Sequence, residues 1–126
     1  MKRPLVAMLL VASIAVPGLA SAGAHSLGFV TISDTYMSGS MNVRFNDNTP
    51  ASYMMTQQWS DGTVTFYGWD GSKSFLCTVS PSDPLYELAF AAHNNLDNGA
   101  YLYVNKGSDS NRCTFVALNK RSYLID

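Results

Sequence analysis

Residues 60–80 read SDGTVTFYGWDGSKSFLCTVS, and this stretch decides the fold. It holds two Asp-Gly pairs, Asp61-Gly62 and Asp70-Gly71. Asp-Gly is a strong short-range hairpin signal, because Gly reaches the left-handed backbone region and Asp hydrogen-bonds the backbone of its own turn. After the first pair, Val64 and Phe66 fall on one face and Thr63, Thr65 and Tyr67 on the other. After the second, Phe75, Cys77 and Val79 share a face. Alternation with period 2 marks half-buried strands. With the strand-like run 51–59 ahead of it, the stretch predicts a three-strand meander whose last strand points Cys77 into the core.

Toward the N-terminus, residues 27–33 (LGFVTIS) form a first strand candidate. Ser38-Gly39-Ser40 reads as a turn into a second strand over 40–46 (SMNVRFN), where Met41, Val43 and Phe45 alternate with Asn42, Arg44 and Asn46. Asp47-Asn48-Thr49-Pro50 is loop chemistry.

Toward the C-terminus the period changes after Pro81. Asp83 is placed to cap a helix and Pro84 to occupy its first position. Leu85, Leu88, Ala89, Ala92 and Leu96 then recur as one helical stripe, and Asn94-Asn95 and Asn98-Gly99 give stop signals. This predicts an amphipathic helix over 84–96. Residues 100–105 (AYLYVN) set Leu102 and Val104 opposite Tyr101 and Tyr103. Residues 112–118 (RCTFVAL) place Cys113, Phe115 and Ala117 on an inward face, and Tyr123-Leu124-Ile125 adds a short strand or docks on the core. The expected fold is α+β: an antiparallel sheet of six to seven strands with one helix packed on it and one disulfide.

The first 22 residues read as a secretory signal peptide. Lys2 and Arg3 open it, residues 5–16 (LVAMLLVASIAV) are apolar apart from Ser13, and Leu19-Ala20-Ser21-Ala22 supplies an A-x-A end. The apolar run, about 12 residues, is short of the roughly 20 that cross a bilayer. Cleavage is expected after Ala22, or else after Ala24, leaving 23–126 as a single exported α+β domain with no transmembrane anchor in its mature form. An oxidising compartment, periplasmic or extracellular, makes Cys77 and Cys113 a disulfide pair. Closing that loop is worth about 3–4 kcal/mol on the chain-entropy model.

Export removes two of the eight basic residues, leaving six against nine acidic ones. They are scattered apart from Lys120-Arg121, so the basic stripe that nucleic acid requires is missing. The two histidines, His25 and His93, have no acidic partners at ligand spacing, and no calcium-loop pattern occurs. No metal or other cofactor is expected. His93 near a helix C-terminus reads as a solvated residue favoured by the dipole. Neither G-x-S-x-G nor S-x-x-K is present. A hydrolase would have to rely on a pair of Asp residues, since Glu87 is the only Glu and falls on the helix's exposed side.

The aromatic residues carry the remaining functional signal. Tyr67, Tyr101 and Tyr103 fall opposite the apolar faces, and Trp59 and Trp69 stand beside the two Asp-Gly turns. On one shared outer face these five rings would make a flat amphipathic platform that binds another protein through buried anchors or a glycan by stacking. In size, export and single disulfide the chain resembles small periplasmic inhibitor and immunity proteins. That resemblance rests on no motif and transfers no residue roles. The expectation is a non-enzymatic binding domain whose partner is another envelope or secreted protein, of inhibitor or immunity type. A glycan or cell-wall ligand and an Asp-based hydrolase are the alternatives.

Overall fold

Each Asp-Gly pair makes the turn its sequence specifies. In the computed structural model Gly62 and Gly71 hold φ of +93° and +99°, where a Cβ is strained. Asp61 Oδ1 accepts the Thr63 N–H at 3.0 Å, and Asp70 Oδ1 accepts those of Ser72 and Lys73 at 2.8 and 2.7 Å. The structure describes residues 27–46, 48 and 51–121. The expected signal peptide and cleavage site, His25, the 47–50 loop apart from Asn48, and the expected terminal segment Tyr123–Ile125 lie outside the described residues.

In chain order the elements are β1 (Val30–Ile32), β2 (Tyr36–Ser40), a 3₁₀ segment (Met41–Phe45), β3 (Tyr53–Gln58), β4 (Val64–Trp69), β5 (Ser74–Val79), α1 (Tyr86–Asn95), β6 (Ala100–Lys106) and β7 (Cys113–Lys120). The fold is α+β, and its strands divide between two antiparallel sheets, β1-β2-β6-β7 and β3-β4-β5. Alternation specifies which face of each strand is apolar but not which strands pair, so a single sheet was the simplest expectation.

The core lies between the sheets. Val64, Phe66, Phe75 and Val79 enter it from one side, and Met37, Leu102 and Val104 from the other, all essentially fully buried. Gly68 on β4 sets how closely the sheets approach. A Cβ there would fall 2.2 Å from Met37 Sδ and 3.0 Å from Ile32 Cδ1, so the bare backbone is what admits the Met37 side chain. At another corner β5 meets the start of β7. The Thr78 N–H donates to the Asn111 carbonyl at 2.7 Å, and the buried Cys77–Cys113 disulfide lies beside this contact.

Helix α1 packs against β7, β4 and β3, burying Ala89 and Ala92 and half-burying Leu85 and Leu96. The Tyr86 hydroxyl donates to the Gly62 carbonyl at 2.8 Å, which ties the helix start to the first turn. The helix begins two residues later than expected. Asp83 Oδ1 accepts the Leu85 N–H, and the Asp83 carbonyl accepts that of Tyr86, both at 2.9 Å, so residues 83–86 form a turn leading into it. His93 is half-buried rather than solvated, with Nδ1 2.6 Å from Thr56 Oγ1. Leu88, assigned to the apolar stripe, is 58% exposed: the small Ala89 and Ala92 make the close contact, and Leu88 lies to its side.

Two strand assignments change. The expected turn at Ser38-Gly39-Ser40 is the end of strand β2, and residues 41–45 of the expected strand 40–46 form the 3₁₀ segment instead. Gly39 is paired with Val30 of β1, and a Cβ on it would stand 2.6 Å from the Phe29 carbonyl oxygen. Here glycine serves close strand approach instead of a turn. The chain then leaves the sheet where Ser40 Oγ donates to Asn42 Oδ1 at 2.5 Å, with Asn42 fully buried. In β7 the inward set is Cys113, Val116 and Leu118, not Cys113, Phe115 and Ala117. Lys106 pairs with Cys113 but Asn105 with Phe115, so a bulge at Thr114 switches the faces and turns Phe115 outward, 47% exposed.

Candidate functional site

Strand pairing sorts the five candidate rings onto two different faces. Trp69 is paired with Tyr53 and Tyr67 with Met55 across β3 and β4, and Tyr67 with Leu76 across β4 and β5. Residues opposite one another share a face. Tyr53, Met55, Tyr67, Trp69 and Leu76 therefore lie on the side of β3-β4-β5 away from the core, where Tyr53 (46%), Met55 (40%) and Leu76 (36%) are exposed and Tyr67 and Trp69 half-buried. The Tyr53 and Tyr67 rings stand 5.8 Å apart, tilted by 35°. The Tyr67 hydroxyl beside it, with burial, raises the Tyr53 pKa above the ordinary phenol value. Trp59 joins the same side. It is 51% exposed, and its indole N–H donates to Thr65 Oγ1 at 2.8 Å, which fixes the ring beside the first turn.

None of the residues of β3 (YMMTQQ), β4 (VTFYGW) or β5 (SFLCTV) is charged. Charge is confined to the turns, at Asp61, Asp70 and Lys73. The face is thus a surface of aromatic, Met and Leu side chains with a polar margin, at which the Lys106 ammonium of β6 donates to the Leu76 carbonyl at 3.2 Å.

Tyr101 and Tyr103 lie on the outer face of the other sheet, each opposite a residue of β2 and of β7. Tyr101 meets Phe29 edge-to-face at 6.1 Å and carries the Arg121 guanidinium 4.4 Å above its centre. Tyr103 stacks on Tyr36 at 5.7 Å and meets Phe115 edge-to-face at 5.9 Å. The single five-ring platform expected from the sequence is therefore two aromatic faces, one per sheet. Sequence reasoning missed Tyr53, Met55 and Leu76 on the first and Phe29, Tyr36 and Phe115 on the second. Residues 53–58 (YMMTQQ) do not alternate, so only strand pairing places Tyr53 and Met55, and the bulge hides the signal for Phe115.

Among the described residues, four carboxylates are engaged locally. Asp61 and Asp70 accept N–H groups of their own turns, Asp83 pairs with Arg112 at 2.8 Å, and Asp97 pairs with Lys120. A groove of about 490 Å³ between α1 and β7 is lined by Leu88, Ala92, Asn95, Val116, Leu118 and Lys120 among others, with no carboxylate, His or Cys in its wall. Among the described residues no group of three or more His, Cys, Asp or Glu side chains is placed to hold a metal ion. Among them, too, no helix is long and apolar enough to cross a membrane. Comparison with protein-family models, with curated proteins and with solved structures finds no match to this chain.

Proposed function

We propose that the protein is an exported, non-enzymatic binding domain that docks another protein, as inhibitors and immunity proteins do, through the outer face of β3-β4-β5. The observation that carries this reading is the absence of charge from all three strands of a face that exposes Tyr53, Met55, Trp59 and Leu76. Protein interfaces are depleted of charge at their centres and enriched in Tyr, Trp and Met, because desolvating an unpaired charge costs more than the contact returns. Charged side chains confined to the turns correspond to the polar rim of such an interface. Met55 and Leu76 at the middle of the face favour a protein over a glycan, since neither stacks on a sugar ring nor bonds its hydroxyls. Export is supported by the signal-peptide pattern of residues 1–22 together with the closed Cys77–Cys113 bridge, which fits the periplasm or the exterior.

The test is retention of envelope and extracellular proteins on immobilised mature protein. Wild type is expected to hold a defined partner, and the double variant Met55→Ser/Leu76→Ser to lose it while keeping its thermal midpoint. Equal retention by the two proteins, or none by wild type, would remove this face as the docking surface.

A further inference from the structure

Strand β7 ends the four-stranded sheet, and we infer that its outer edge takes up an extended segment of a partner protein as an added strand. Two backbone hydrogen bonds fix which groups face that edge. The Arg121 N–H donates to the Gly99 carbonyl at 2.7 Å, and the Lys106 N–H to that of Thr35 at 2.8 Å. Along an antiparallel ladder, hydrogen-bonded pairs alternate with non-bonded ones. Counted from either bond, Tyr101, Tyr103 and Asn105 bond β7 through Asn119, Ala117 and Phe115. Val116, Leu118 and Lys120 therefore aim their N–H and C=O groups away from β6, where no further strand follows among the described residues.

This edge lacks the devices that blunt natural sheet edges. At the other end of the sheet β1 is only three residues long. Strand β7 has eight, with no Pro, no charge before its last residue, Lys120, and its bulge near the start at Thr114. The groove of about 490 Å³ runs beside it and opens to solvent past the exposed Leu88, Ala91 and Asn95 of α1. Its β7 wall includes the residues whose backbone faces outward, Val116, Leu118 and Lys120. A strand laid along them shares their face at alternate positions, so every second side chain enters the groove against α1. Those side chains are apolar and uncharged to match the wall, whose one charge, Lys120, is already held by Asp97. A row of alternating backbone donors and acceptors is complementary to another polypeptide backbone. A second copy of this chain fits the edge less well, since its β7 brings its own α1 to the same side.

Amide hydrogen exchange and shift mapping on isotope-labelled mature protein test the inference. The probes are three capped octapeptides in which threonine alternates with valine, isoleucine or leucine. In the free protein the Val116 and Leu118 amides are expected to exchange fast, and that of Ala117, bonded to β6, slowly. At least one octapeptide is expected to slow the Val116 and Leu118 amides and to shift resonances of β7 and α1 alone. N-methylating that peptide at alternate residues should abolish both effects in one phase and leave them in the other, because only one edge of the peptide meets β7. Leu88→Gln, at an exposed position, is expected to weaken its binding about fivefold or more. The Met55→Ser/Leu76→Ser variant should bind it like wild type, which separates this edge from the docking face of β3-β4-β5. No response to any of the three peptides at millimolar concentration overturns the inference. So do Val116 and Leu118 amides protected before peptide is added, since a second copy or the chain itself then covers the edge. Binding that survives N-methylation in both phases overturns it too, because the groove then takes apolar side chains without strand pairing.

Discussion

Asp70 Oδ1 accepts hydrogen bonds from the Lys73 and Ser72 N–H groups and from the Ser72 hydroxyl, and these bonds hold its carboxyl below the usual carboxylate range. Asp61 is lowered in the same way, chiefly by the Thr63 N–H. In Asp83 the Arg112 side chain has the largest effect, and in Asp97 the Lys120 side chain. In all four the folded state favours the ionised form, so it binds protons less readily than the unfolded chain. The stability they supply is whole above the unfolded Asp value of about 3.9, and is lost as pH falls through the lower folded values. The thermal midpoint is therefore expected to stay level from neutral pH to about 5 and to fall below about 4. Asp70→Asn keeps an acceptor for the turn, so it should melt close to wild type at neutral pH and fall less steeply in acid. Melting curves by circular dichroism across this range check it. A level midpoint down to pH 2, or an unchanged acid slope in Asp70→Asn, contradicts the assignment.

At the scale of the element, legibility followed how local the determining physics was. The turns at Gly62 and Gly71 need only two residues each, and the faces of β5 and β6 need only alternation, so all were readable. The second strand was not. Ser38-Gly39-Ser40 carries turn composition, and only the approach of Phe29 and Val30 shows why glycine belongs in a strand there. Nor did anything in residues 112–118 announce the bulge, since Thr114 is neither Gly nor Pro. Alternation set Tyr67, Tyr101 and Tyr103 opposite the apolar faces and the turns located Trp59 and Trp69, but the division of these rings between two sheets is set by strand pairing across the whole chain. Helix α1 shows the limit of periodicity in another way, because its spacing treats Leu88 and Ala89 as equivalent. Leu88→Gln is expected to change stability by no more than about 0.5 kcal/mol. Ala89→Leu, at a fully buried position against the sheets, should cost about 1–3 kcal/mol by overpacking. Urea midpoints measure the two changes, and the reverse order would mean that α1 is rotated about its axis.

For the molecule as a whole, the governing fact is that neither sheet can bury its inner face without the other. Val64, Phe66 and Phe75 have their counterparts in Met37, Leu102 and Val104 across the core, and the disulfide fastens the corner where β5 meets β7. Arg112 bonded to Asp83 and Lys106 over the Phe75 ring stand at the same corner, so the bridge reinforces a junction already made by weaker contacts. Opening it restores the freedom of a loop whose ends are 36 residues apart, which is worth about 3–4 kcal/mol on the chain-entropy model. Cys77→Ser and Cys113→Ser open the same loop and should cost the same, and thiol reduction of wild type should reproduce either. A shared core also makes unfolding a single transition. The two tryptophans, Trp59 and Trp69, both belong to the three-stranded side, whereas circular dichroism reports on every strand. Tryptophan fluorescence and circular dichroism should therefore trace one urea curve in wild type, and again one curve, shifted to lower urea, in each Cys→Ser variant. A fluorescence transition that separates from the dichroism would show the three-stranded sheet melting by itself, and the core would then have to be two cores. Unequal losses in the two Cys→Ser variants would instead show that one serine is tolerated in the core better than the other, leaving the shared core intact.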